Sequence, residues 1–185
     1  MTSARQLSTE ELEQGLDDIL QSPKDNGVLE LIVRRPAVDE REVITEGTLD
    51  REQGLVGDNW LSRGCRHMPD GAADPEMQLN IMNTRVVDLV AGSADRWPLA
   101  GDQLYVDMDL GPENLPPGTQ LELGDAVIEI TEPPHTGCKK FAARFGVDAM
   151  VFVNSGRGKE LNFRGICAKV VKSGDIRVGD VARKL

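Results

Sequence analysis

The stretch PPHTGCKKFAARFG, residues 133–146, sets one cysteine behind two prolines, a histidine and a glycine, and ahead of two lysines. A thiol can pack, bind a metal or react, and the chemistry depends on how much of it is thiolate. If Lys139 to Phe145 form a short helix, Cys138 sits at or near its N-terminus. Unpaired N–H groups and the helix dipole there favour a thiolate. Lys139, Lys140 and Arg144 add positive charge, and the stretch holds no acid. The prolines and Gly137 are expected to order the loop. The plainer alternative is a small, half-buried cysteine beside surface lysines, since free cysteines are commonly buried.

The other two cysteines differ in context. Cys167 stands in RGICAKVV, a strand-like run that suits packing, and Cys65 in the polar SRGCRHM. Cys65, His67, His135 and Cys138 offer four soft ligands in two short clusters for a tetrahedral zinc site. Cys-x-His is not a usual zinc pair, however, and these two are the chain's only histidines. Arg34, Arg35 and Arg41 form a second basic group able to grip phosphate or carboxylate. Consecutive strand residues face opposite ways, so at most one of Arg34 and Arg35 enters a given pocket. The sequence has no Walker loop, no GxGxxG after a strand, no HExxH and no GxSxG.

The elements that must position these residues are short. STEELEQGLDDIL opens on a capping box, Ser8 to Glu11, and continues at helical spacing to Leu20, so residues 1–27 read as a helical extension. From residue 28 to 185 the pattern becomes one domain of strands. VLELIVRR reads as a strand with REVITEG as partner, LNIMN as another, and TRVVDLVAG as a helix capped by Thr84 and stopped at Gly92. DQLYVDMDL alternates as a strand. GTQLELGDAVIEIT predicts a hairpin about Gly124-Asp125, and the C-terminus a second about Ser173-Gly174-Asp175. CKKFAARFGVDAMVFVN, between them, suits one or two helices. Gly-Asp recurs at 57, 101, 124, 174 and 179 and reads as turn chemistry. Many short strands with Gly-containing turns predict a mostly β sandwich or barrel with a few short helices. Net charge is −10, with 31 acids against 21 bases, which argues against nucleic-acid or anionic-membrane partners. An odd number of scattered cysteines, no apolar leader and no 20-residue apolar run lead to the expectation of a cytoplasmic protein.

GDQLYVDMDLGPENLPPGTQLELGDAVIEIT, then CKKF, then RGICAKVVKSGDIRVGD, resemble in order the MOSC domain, named for the C-terminal domain of molybdenum cofactor sulfurase. GLVGDNW resembles the family's earlier Gly-x-x-Gly-Asp element, although Asn59-Trp60 stand where many relatives carry a basic residue or histidine. The resemblance spans roughly residues 28 to 182. It implies a β-barrel and makes Cys138 the family's characteristic cysteine, which either ligates molybdenum of the pterin cofactor or carries sulfur as a persulfide. It further implies that Lys139, Lys140, Arg34, Arg41, Asn114 of the Glu-Asn-Leu turn and Arg164 of the Arg-Gly-Ile strand hold the cofactor. Some members reduce N-hydroxylated bases or amidoximes. Others are fused to a pyridoxal-phosphate desulfurase; here a separate desulfurase would be the partner, because no such domain fits in this chain. A non-catalytic binding module on the same barrel is the third expectation.

Overall fold

The computed structural model describes residues 6–185. Two short helices come first, α1 (Thr9–Gln14) and α2 (Leu16–Ile19). Strands β1 (Gly27–Arg34), β2 (Glu42–Ile44), β3 (Glu46–Asp50) and β4 (Gly54–Leu55) lead to helix α3 (Trp60–Arg63). Strand β5 (Leu79–Asn83), helix α4 (Thr84–Ala91) and strand β6 (Leu104–Asp107) follow. Then come β7 (Gln120–Leu123), β8 (Ala126–Pro134), and helices α5 (Lys139–Phe145), α6 (Val147–Asn154) and α7 (Gly156–Glu160). Strands β9 (Ile166–Lys172), β10 (Gly174–Arg177) and β11 (Val181–Lys184) end the chain.

Among the described residues, strands in the order β11-β7-β8-β9-β5-β6-β1 form a sheet that β1 closes by pairing back to β11, a seven-stranded barrel. Only β5 and β6 run parallel within it, joined across α4. Closure removes the open sheet edge that such short strands would otherwise expose. A small sheet, β10-β3-β4, covers one side.

Alternation sorts the side chains of the covered strands into two cores. Ile32, Ile81, Leu104 and Val106 point into the barrel, while Val33, Met82 and Tyr105 pack outward under the helices. There they meet Val86 and Val87 of α4, Phe141 and Phe145 of α5 and Leu12 of α1. Burial of each such side chain stabilises the fold by about 1.5–3 kcal/mol. LNIMN is therefore buried on both faces, and the Tyr105 hydroxyl is satisfied by donating to the Trp97 carbonyl at 2.9 Å.

The expected hairpin of β7 and β8 is present, in register from Gln120–Glu129 to Leu123–Ala126. The capping box at Ser8 and Glu11 and the left-handed stop at Gly92 are also as expected. Three expectations are corrected. The cap of α4 is Asn83, not Thr84: its side chain accepts from the N–H groups of Arg85 and Val86. The N-terminal helix is two pieces that break at Gly15, where a Cβ would lie 2.6 Å from Leu89 of α4. The last segment is not a hairpin. β9 pairs with β5 and β8, whereas β10 leaves the barrel to pair with β3.

Candidate functional site

The chain leaves β8 at Pro134 and enters α5 at Lys139, and the five-residue span from Pro134 to Cys138 is pinned at Gly137. Its N–H donates to Asn154 Oδ1 at 2.7 Å and its carbonyl accepts from Asn154 Nδ2 at 2.9 Å. A Cβ here would sit 2.9 Å from that same Nδ2, so glycine is what allows the clamp. Cys138 follows as the extended N-cap of α5, exposed. Partial burial of its thiol opposes ionisation. The N–H groups of Phe141 and Lys140 at the helix start, then the charges of Arg164 and Arg144, outweigh it and set the thiol below its ordinary pKa.

Cys138 opens on a cavity of about 250 Å³. Among the described residues, Arg35, Arg41, Arg63, Lys140, Arg144 and Arg164 line it against a single acid, Asp39. In a chain of net −10, this is a strong local reversal of sign. Two of the cations are locked from behind. Arg35 makes a two-pronged pair with Asp58, Nε and NH2 each at 2.8 Å, and donates to the Gly101 carbonyl at 3.0 Å. Arg164 donates to Asp102 at 2.8 Å and to the Ala100 carbonyl at 3.0 Å, and lies 5.0 Å over the Phe141 ring. Its Nε is buried with no hydrogen-bond partner among the described residues.

Asp102 is fully buried. Burial raises its pKa, but Arg164 and His135 more than reverse that and hold the carboxyl at about 2. His135 Nε2 lies 2.7 Å from Asp102, and its Nδ1 faces the Asn80 amide nitrogen at 3.4 Å. An amide NH2 can only donate, so Nδ1 accepts and Nε2–H donates to Asp102. Burial and the Arg164 charge keep the imidazole neutral, its pKa lowered despite the carboxylate beside it.

The structure thus brings Cys138, Lys140, Arg41 and Arg164 together and leaves Arg34, Lys139 and Asn114 outside the cavity. Arg34 and Arg35 diverge as strand geometry requires. Arg34 turns to Glu42, at 2.8 Å, and it is Arg35 that enters. Lys139 projects to solvent from the first position of α5. Asn114 ties a turn to the barrel end, donating to the carbonyls of Lys24 and Asp109 and accepting from Lys184. The four zinc ligands do not assemble: His135 is committed to Asp102 and Asn80, and among the described residues no three His, Cys, Asp or Glu side chains converge for a metal. Cys167 is fully buried in β9, and Cys65 is half-buried. The sequence reading missed Arg63, together with Asp58 and Asp102, which fix the wall. The two aspartates belong to Gly-Asp pairs at 57 and 101, whose glycines do adopt positive φ, 87° and 91°.

The MOSC domain family model matches residues 72–183. Among solved structures, the YuaD protein of Bacillus subtilis is similar with a TM-score of 0.59 at 16% identity, over 85% of this chain and 94% of that one. YiiM of Escherichia coli is similar with a TM-score of 0.53 at 18% identity, over 85% of this chain and 69% of that one. A hypothetical protein of known structure gives 0.57 at 17%, over 89% and 70% of the two chains. At these identities the likeness is one of fold. No curated protein matches the chain significantly. Among the described residues, no helix is long and apolar enough to cross a membrane.

Proposed function

The chain belongs to the MOSC-domain family, and from that premise we propose that its Cys138 cavity holds the molybdenum-pterin cofactor, with the thiolate as metal ligand. The observation that carries this reading is an exposed thiol of lowered pKa on a cavity lined by six cations and one acid. The donor set fits the group: a soft thiolate suits molybdenum, and guanidinium and ammonium groups suit the anionic phosphate of the pterin. When bound, the cofactor supplies redox chemistry, and reduction of N-hydroxylated bases or amidoximes is the activity we assign.

This chain's residues do the rest. Cys138 offers its sulfur from a helix start that favours the thiolate. The Gly137–Asn154 clamp fixes where that sulfur stands. Arg41, Lys140 and Arg164 orient the anion, while the buried Asp102 keeps Arg164 from swinging away. The presence of free thiols leads us to place the protein in the cytoplasm.

The test is elemental analysis with native mass spectrometry on protein made in cells that synthesise the pterin cofactor. Bound molybdenum with a pterin-sized adduct is expected, and Cys138→Ser is expected to lose it. The exposure of Cys138 favours a second reading, a sulfur carrier. The thiolate would take the terminal sulfur of a persulfide on a separate pyridoxal-phosphate cysteine desulfurase, whose own cysteine leaves as thiolate. A gain of one sulfur atom on Cys138, reversed by reductant, supports that reading over the first. Neither adduct leaves a non-catalytic binding module.

A further inference from the structure

The cavity's six cations are not equally available. Asp58 and Asp102, both buried behind the wall, neutralise Arg35 and Arg164. Arg41 and Arg63 form no ion pair among the described residues, although Arg41 donates to the carbonyls of Pro98 and Glu40. Lys140 and Arg144 share one carboxylate oxygen, Oδ1 of Asp39, at 2.9 and 3.1 Å. Six cations against three carboxylates leaves about three positive charges on the cavity at neutral pH.

Asp39 differs from the other two acids. Its side chain is 58% exposed, while those of Asp58 and Asp102 are fully enclosed. It sits in a short turn between β1 and β2, closed by Glu40 N–H on the Ala37 carbonyl at 3.2 Å. Its φ is 63°, a left-handed backbone that costs most residues energy and that Asp and Asn tolerate. Its neighbour Val38 is 72% exposed. Residues 36–40 are all exposed, and the carboxylate contacts the same two cations that a ligand's anionic group would use.

We propose that Asp39 is the specificity-determining residue of this cavity: it occupies the anion subsite of Lys140 and Arg144 and must be displaced, so that the subsite admits phosphate monoester dianions and not monoanions. The inference rests on the reading of the cavity as an anion site, given above. The reason is one of exchange. A monoanionic ligand that replaces the aspartate carboxylate swaps one negative charge for another and gains little. A phosphate monoester carries −1.5 to −2 charge near pH 7 and three acceptor oxygens, so it serves Lys140 and Arg144 and draws on Arg41, whose charge already acts on Asp39. The phosphate could belong to a resident pterin or to a free substrate, and the subsite is the same.

The test is calorimetric titration with inorganic phosphate and with acetate at matched ionic strength, on the full chain and on Asp39→Asn. Asparagine keeps the left-handed turn and removes the charge. The parent is expected to bind phosphate and not acetate. Asp39→Asn should bind phosphate about twofold to fivefold more tightly, the scale of an exposed ion pair, and should begin to bind acetate. Arg41→Gln should weaken phosphate in both backgrounds, which ties the signal to this cavity. Protein loaded with pterin should refuse added phosphate if the pterin's own phosphate fills the subsite, and accept it if the subsite serves a substrate. Phosphate binding unchanged or weakened in Asp39→Asn overturns the inference while leaving the cavity an anion site. Absence of phosphate binding in both forms overturns the inference and removes the cationic cradle too, whatever Cys138 does.

Discussion

Cys138 and Cys167 lie on opposite sides of one boundary, and the difference between them is made by their surroundings. Cys138 ends a pinned loop, with helix N–H groups ahead of it and two guanidinium charges near, and its thiol ionises more readily than usual. Cys167 lies within strand β9, with no helix start beside it. Burial pushes its pKa up to about 12, with Asp102 adding to the rise and Arg164 and Asn80 only partly opposing it. Arg164 acts on both thiols, so the contrast turns on desolvation and on the helix start. The barrel uses the same atom as a packing group in one place and leaves it available for chemistry in another.

The largest expected effect breaks the partition at its hinge. Asp102→Asn removes the carboxylate that pairs with Arg164 and accepts from His135, and leaves a cation buried without a partner. Such a loss costs about 3–5 kcal/mol. Urea unfolding checks it; a loss under about 1 kcal/mol would mean that the pair does not hold the wall. The parent should carry the matching pH signature. Asp102 titrates at about 2 in the folded chain against an ordinary 3.8. As pH falls, the unfolded chain therefore takes up its proton first. Stability present above pH 3.8 is lost on the way to pH 2, by roughly 2 kcal/mol from this group. His135, with its pKa lowered, acts in the same direction from about pH 6.5 downward. Asp102→Asn should flatten the lower part of this acid limb.

Next in size is the reactivity of the two thiols. Near pH 7, iodoacetamide should alkylate Cys138 at least about a hundredfold faster than Cys167, because only the thiolate attacks and one thiol is kept protonated and enclosed. Half-buried Cys65 should fall between. Peptide mapping of a time course decides it, and Cys167 labelling as fast as Cys138 would erase the contrast. Cys167→Ser then tests the packing side. It places a hydroxyl in a fully buried strand position and should cost about 1–3 kcal/mol of stability, with Cys138 alkylation unchanged once folded.

How much of this was legible depended on whether partners were close in sequence. The β7–β8 hairpin was readable because both alternating runs flank Gly124-Asp125. The join of β9 to β10 reads the same locally, yet β10 belongs with β3, more than a hundred residues away, and no local pattern carries that pairing. The helix behind Cys138 was readable from the local pattern of CKKFAARF, and with it the lowered thiol pKa. The choice of Arg35 over Arg34 was not: alternation says that at most one of the two enters a given pocket, and the neighbours decide which. Asp58 and Asp102 were hidden by their glycines. Gly57 and Gly101 do make turns, so turn chemistry accounted for both pairs, but here each turn also aims its aspartate at a buried arginine. Arg63 ends a one-turn helix in a polar stretch whose only apolar anchor is Trp60, too little for a periodic signal.

The smallest expected effect is the stability change of Cys138→Ser, and its smallness is the point. Cys138 is exposed, so truncating sulfur to oxygen removes little buried apolar surface and opens no cavity. Its backbone is extended, φ −112° and ψ 179°, which is ordinary N-cap geometry. Serine is among the preferred residues at that position, because its hydroxyl accepts from the N–H groups of the first turn, the same Lys140 and Phe141 groups that act on the Cys138 sulfur. The oxygen is the better cap acceptor and sulfur the better apolar contact, so the two effects offset and the unfolding free energy should stay within about 0.5 kcal/mol of the parent. Urea unfolding of the two proteins, run beside the molybdenum and persulfide assays, makes the comparison. A variant that keeps its stability and loses its adduct places the sulfur in the chemistry alone. A loss of more than about 1 kcal/mol would make Cys138 a structural residue like Cys167, and the boundary between the two thiols would vanish.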